Sequence, residues 1–262
     1  MGTRAIVFSA FLCTVTMGAR AQDSPWVPRA LPSDASWHVS GANAINNRGE
    51  IVGSYTETPL PNMQLHAVLW HVDSPVWTDL EAAIGLPDGC WLSTAECISD
   101  TGLVGGAAAY EDPDAPNAEV AVVWDLDLGT VREVHPLVDG FNTSSVWAIK
   151  DDGSAVGNLR RFDPGFSGEL GYYWGPGTTP GRVLTPVAGF DQTSSRGLDS
   201  SGRCVGVSRD GFTQNAHATL WLPDGTAVDL HAEIVAAIPE EHAAIISWTS
   251  CGGILEDGTI YG

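Results

Sequence analysis

Five copies of one short pattern decide what this chain can fold into. Asn46 to Gly53 (NNRGEIVG) returns as Ser99 to Gly106 (SDTGLVGG), Lys150 to Gly157 (KDDGSAVG), Asp199 to Gly206 (DSSGRCVG) and Leu255 to Gly262 (LEDGTIYG). The first glycines of the copies are Gly49, Gly102, Gly153, Gly202 and Gly258, so the spacing stays between 49 and 56 residues. A period near fifty is that of propeller blades or solenoid units. Each copy has an apolar residue (Ile45, Ile98, Ile149, Leu198, Ile254), a few polar residues, a glycine and a short apolar run. That order reads as strand, tight turn, strand, with the first glycine taking the positive φ of a hairpin turn. The second glycine belongs where strands crowd together or a loop must leave sharply.

Two further strands follow each turn. They are expected at 66–70 and 76–80, 120–124 and 131–134, 170–174 and 182–184, and 217–221 and 227–230. Four strands joined in sequence make a propeller blade. The expectation is therefore an all-β chain, a β-propeller-like array of about five four-stranded repeats near 37–80, 91–134, 144–184, 193–230 and 245–262. The last repeat holds only its first two strands; a β-solenoid or a sandwich is the alternative. Trp70, Trp124, Trp174 and Trp221 recur at one place in the third strands. A ring at a fixed strand position fills the space between neighbouring sheets, a better reading than a glycan-stacking surface. His66 and His217 open the same strand in repeats one and four, but Val120 and Leu170 replace them elsewhere, which favours a structural hydrogen bond over a ligand role. The linkers 79–87 and 229–239 can each form one or two helical turns, with Pro87 and Pro239 as the stop.

Residues 1–21 carry Arg4, an apolar run and the sequence Ala19-Arg20-Ala21, the marks of a secretory signal peptide cleaved before Gln22. The run is too short to span a bilayer, which takes about 20 apolar residues. Residues 22–262 then form one repeat domain, secreted or periplasmic. The formal net charge of −20 becomes −22 once Arg4 and Arg20 leave. Such a surface argues against a nucleic-acid partner, whose phosphates need lysine and arginine. Cys90, Cys97, Cys204 and Cys251 remain, an even number in an oxidising compartment. A local Cys90–Cys97 bridge with Cys204–Cys251 across repeats is the pairing expected, with buried free thiols as the alternative.

The combination of A-x-A-I-N-x-x-G-x-I-V-G at Ala42 to Gly53, H-A-x-L-W at His66 to Trp70 and Asp79-Leu80 resembles the HAF-repeat family of extracellular repeat proteins. The resemblance covers most of residues 26–262. It implies an exported, propeller-like domain and transfers no catalytic residue. Relatives of that kind would be expected to continue past the last turn into another such strand. The segment 26–31 would then suit the fourth strand of the last blade, leaving a third strand missing: either the blade is incomplete or the sequence is truncated.

No catalytic constellation stands out. There is no G-x-S-x-G elbow, no H-E-x-x-H, and no glycine-rich phosphate loop opening a helix, so no cofactor is expected. The loop 111–119, with Asp112, Asp114 and Glu119, is the best local calcium candidate because calcium takes several oxygen ligands, but it lacks the order of an EF-hand loop. A solvated acidic loop is the plainer reading. Two function classes follow: a non-enzymatic exported propeller binding a protein or glycan at the cell surface, or an envelope polysaccharide hydrolase or lyase with acidic residues over the channel. The first is favoured because nothing specifies a reaction. Carboxylates with shifted pKa values converging on one mouth would favour the second.

Overall fold

The computed structural model describes residues 5–7, 27–59, 63–110, 118–136, 138–163, 166–177, 181–211, 215–237 and 249–262. Ahead of the repeats, β1 (Ala5–Val7) and β2 (Val27–Arg29) pair in parallel. Four meanders follow. Blade 1 is β3 (Val39–Ile45), β4 (Glu50–Thr56), β5 (His66–His71) and β6 (Trp77–Asp79), leading into α1 (Leu80–Ala83). Blade 2 is β7 (Cys90–Ile98), β8 (Leu103–Tyr110), β9 (Glu119–Asp125) and β10 (Thr130–Glu133). Blade 3 is β11 (Thr143–Ile149), β12 (Ala155–Asp163), β13 (Phe166–Trp174) and β14 (Arg182–Leu184). Blade 4 is β15 (Gln192–Leu198), β16 (Cys204–Arg209), β17 (Ala216–Trp221) and β18 (Ala227–Asp229), followed by α2 (His231–Ala236). A fifth unit holds β19 (Gly253–Ile254) and β20 (Ile260–Tyr261). Each of the four blades and the fifth unit is antiparallel in chain order, so the fold is the all-β propeller rather than a solenoid or sandwich. Most of the residues read as a signal peptide, and Trp248, lie outside the described residues. The segment 27–29 pairs with β1 rather than with the fifth unit.

The five turns are built alike. The amide of Asn46 bonds the carbonyl of Glu50 while Gly49 N–H returns to Asn46 O, and the same pair recurs at 99–103, 150–154, 199–203 and 255–259. The first glycines have φ between 79° and 88°, the left-handed residue that ends a three-residue hairpin loop. The second glycines answer to a different force. A Cβ on Gly53, Gly106, Gly157, Gly206 or Gly262 would lie 1.8–2.0 Å from a carbonyl oxygen of the first strand beside it. In blades 1 to 4 the first strand carries a bulge at that level, and a bulge bends one strand locally against its partner.

The blades are fastened at two recurring points. Each third-strand indole Nε1–H donates to a backbone carbonyl in the segment that enters its blade: Trp70 to Pro32, Trp124 to Gly85, Trp174 to Val134 and Trp221 to Thr185, at 2.7–3.1 Å. Trp70, Trp124 and Trp221 are fully buried, and Trp174 is half-buried; none lies on an open face. A first-strand hydroxyl of the next blade then accepts a third-strand N–H: Ser93 from Ala67, Ser144 from Ala121, Thr193 from Gly171 and Thr249 from Ala218. Tryptophan and hydroxyl thus grip the same strand from opposite sides.

Two expectations are corrected. The four cysteines are free thiols. Cys90 and Cys97 stand seven residues apart on one extended strand, about 23 Å at 3.3 Å per residue, where a disulfide needs Cα atoms within about 7 Å. Cys204 packs against Leu184 and Trp221, whereas Cys251 packs with Val205 and Ala218. Successive residues face opposite sides of a strand, so the sheet separates the two thiols. The first linker helix stops before its proline: Ile84 and Gly85 N–H groups both return to Leu80 O, and Gly85 takes φ 108°, a left-handed C-terminal cap.

Candidate functional site

First strands lie at one edge of every sheet, and consecutive first strands touch in series from β3 to β19. Groups two blades apart also meet on this side. Lys150 Nζ of the blade 3 turn donates to Glu256 Oε1 of the fifth turn at 2.6 Å, and Ser200 N–H of the intervening turn bonds Glu256 Oε2 at 2.9 Å. Inner strands therefore converge on an axis. The bulge level with the second glycine leaves one residue of each inner strand outside the ladder, and these are Asn43, Glu96, Trp147 and Arg196; β7 carries a second bulge at Trp91. An unpaired bulge residue is re-aimed out of the alternation, as bulges beside functional sites do.

These four side chains form two contacting pairs at the axis. Asn43 Nδ2 donates to Glu96 Oε2 at 3.0 Å and to Ala95 O at 2.9 Å. The Arg196 guanidinium lies 5.0 Å from the Trp147 ring centre, within cation–π range. Trp147 Nε1 is buried without a hydrogen-bond partner. Burial raises the Glu96 carboxyl above its ordinary pKa and Glu119 adds repulsion, while a Thr94 hydrogen bond and Arg196 across the ring pull it down. Burial also raises Glu119, against the pull of Arg160. Further from the turns, Glu169 pairs with Arg209 Nη2 and, at 3.9 Å, with Arg160 Nε. Unlike charges from three blades thus line the end of the strands that lies away from the glycine turns.

The residues singled out from sequence fall elsewhere. Glu119 opens β9 as part of this charged rim, while Asp112 and Asp114 lie outside the described residues. Among the described residues no three His, Cys, Asp or Glu groups are placed to hold a metal. His66 Nδ1 pairs with Glu81 Oε2 and His217 Nδ1 with Asp229 Oδ2, each at 2.8 Å. Both sit where a blade hands over to its linker, the structural role expected of them. Sequence reading missed the axial ring, although each member stands six residues before its turn glycine. That column was legible once the repeats were aligned; its inward direction was not, since nothing in the pattern marks a bulge.

The Glu256 node makes a pH prediction. Lys150 and Ser200 hold its carboxyl down at about 2. Its stabilisation is complete above the ordinary value of 4.5 and is lost as pH falls towards 2. With the side chain more than half exposed, the effect stays below about 1 kcal/mol. Glu256→Gln should lower the urea midpoint slightly at pH 7 and leave it unchanged relative to wild type at pH 2; an equal loss at both would refute the ion-pair account.

No protein-family model and no curated protein matches this chain. Among solved structures, TolB from Acinetobacter baumannii is similar with a TM-score of 0.48 and 13% identity, over 73% of this chain and 43% of that one. The Bombyx mori GH32 beta-fructofuranosidase BmSUC1 is similar with a TM-score of 0.36 and 13% identity, over 71% of this chain and 47% of that one. The chain spans less than half the length of either.

Proposed function

We propose that this is an exported, non-catalytic binding propeller of the HAF-repeat kind whose ligand is a glycan held over the axial ring. One observation carries the reading. The repeat keeps its turn glycines, its third-strand tryptophans and its hydroxyl latches, yet at the inward bulge it places four chemically different groups, Asn43, Glu96, Trp147 and Arg196. Positions that serve the scaffold repeat; the position that faces the axis varies, as a site for one asymmetric ligand requires. An amide, a carboxylate, an indole and a guanidinium supply donors, acceptors and an apolar face, the mixture that polar ligand sites use. Export is supported by the leader-like residues 1–21. Among the described residues no helix is long and apolar enough to cross a membrane.

Calorimetric titration with a panel of envelope oligosaccharides tests this. Trp147→Ala and Arg196→Ala should each weaken binding by more than tenfold, about 1.4 kcal/mol, while Leu128→Ala on the outer surface should not. Equal affinity in all three would remove the axis as the site. The raised carboxyls of Glu96 and Glu119 favour a hydrolase as the second reading, because an upward shift is the direction that suits a carboxyl to general-acid work. Release of reducing ends that Glu96→Gln abolishes would establish it in place of simple binding.

A further inference from the structure

The axial column has a fifth member. Asn43, Glu96, Trp147 and Arg196 each stand six residues before a turn glycine, and in the last copy that place is held by Gly252. The backbone does not demand glycine there. Its φ lies outside the left-handed region, and a Cβ added to it would meet nothing closer than Tyr261, at an ordinary contact of 3.6 Å. Gly252 stands beside Arg196, because the residues that follow them pack together: a Cβ on Gly197 would come within 2.8 Å of Gly253 Cα on the adjoining first strand. The column thus leaves one sector without a side chain, next to its guanidinium.

Charge on the first strands is confined to the same column. Across β3, β7, β11, β15 and β19 the only acidic residue is Glu96 and the only basic one is Arg196. The arginines nearer the far end of the strands are already committed, since Arg160 and Arg209 share the Glu169 carboxylate. Arg196 is not. It is exposed, and among the described residues it makes no hydrogen bond and no salt bridge, only the contact with the Trp147 ring. A guanidinium held over an aromatic ring keeps its N–H edge free for a planar anion. Glu96 lies two blades back from Arg196, so the side towards Gly252 is turned away from the ring's own carboxylate. In a chain of formal net charge −20, an uncommitted cation at the axis selects an anion against the general field.

We propose that the group recognised at the axis is a sugar carboxylate, a uronic acid residue whose two oxygens pair with the Arg196 guanidinium in the sector that Gly252 leaves open. This rests on the axial-ring reading above and narrows its ligand from glycans in general to acidic ones. The fork matches a carboxylate in geometry, since two parallel N–H groups meet two coplanar oxygens. It matches in charge as well, one unit against one, whereas a phosphate monoester brings about two. Trp147 supplies the apolar face against which a sugar ring can lie. Asn43 has both amide protons committed, to Ala95 O and Glu96 Oε2, which leaves its Oδ1 to accept a sugar hydroxyl.

The probe is an array of uronic-acid oligosaccharides of varied linkage, each present as the free acid and as its methyl ester, beside neutral and sulfated counterparts. The full chain is applied to it, and the tightest acid is carried to calorimetry. The free acid should bind about tenfold or more tighter than its ester. Arg196→Lys should lose most of that difference although the charge is kept, because a point charge replaces the fork. Gly252→Glu should weaken the acid about tenfold or more by like-charge repulsion, with a melting temperature near that of the wild type because the position accepts a Cβ. Gly252→Gln, equal in bulk but uncharged, should weaken it less. Acid and ester bound alike, or a preference for sulfate, overturns the carboxylate assignment and leaves the glycan reading of the axis standing. Binding of no oligosaccharide overturns both. A preference for the acid that survives Arg196→Gln unchanged also overturns the proposal, since the carboxylate would then be held elsewhere.

Discussion

Gly157→Ala is expected to destabilise the protein by about 3 kcal/mol or more, the upper end of what forced overpacking costs. The added Cβ would stand 1.8 Å from Ser145 O and 2.9 Å from Val146 Cα, and both obstacles are backbone of the innermost strand of blade 3. That strand is buried from Thr143 to Val146 and cannot retreat without opening its ladder. Gly153→Ala in the same repeat is the control. Its φ is +82°, but the nearest atom to an added Cβ is Leu103 Cδ1 at 3.8 Å, so only the left-handed backbone penalty of about 1–2 kcal/mol applies. In a chain of this size 1 kcal/mol moves the melting temperature by about 2–4 °C. Gly157→Ala should therefore melt at least about 6 °C lower than wild type, and clearly below Gly153→Ala. A larger loss at Gly153 would mean that turn conformation, and not strand crowding, holds the repeat.

The two glycines illustrate what the sequence made legible. Gly153 and its counterparts could be placed in turns because polar residues and a glycine between apolar runs have one cheap solution. The four-stranded repeat, the third-strand tryptophans and the packing role of those rings followed from periodicity alone. The axial ring did not, because Asn43, Glu96, Trp147 and Arg196 share no chemistry, and alternation predicts nothing for a residue that a bulge removes from the ladder. The disulfide expectation failed on a related point. Cys90 and Cys97 are near in sequence, but they lie on one nine-residue strand, and sequence proximity in a strand is distance in space. The hydroxyl latches stand in a fixed column that the sequence does not distinguish, since a hydroxyl residue in a strand is common and only its partner across the interface gives it meaning.

The tryptophan latch sets the second large effect. Trp124→Ala should cost about 3–5 kcal/mol, the range for deleting a buried aromatic side chain, because the indole is fully buried and packs with Leu80 and Val52 of the preceding blade. Trp124→Phe should cost about 1–2 kcal/mol, since the ring volume is largely kept while the Gly85 carbonyl loses its donor. Trp174→Ala should cost less than Trp124→Ala, as that ring is only half-buried. Urea unfolding of the three variants checks the order. The form of the transition carries further information. Stability in a repeat array is a sum of unit terms and nearest-neighbour interface terms. Trp124 belongs to blade 2 while its acceptor belongs to the linker leaving blade 1, so its loss weakens an interface without touching either sheet's ladder. A variant that keeps one sharp transition at lower urea would show that the remaining interfaces still couple the blades. A split transition would show that the indole latch is the coupling itself, with blade 1 unfolding apart from blades 2 to 4.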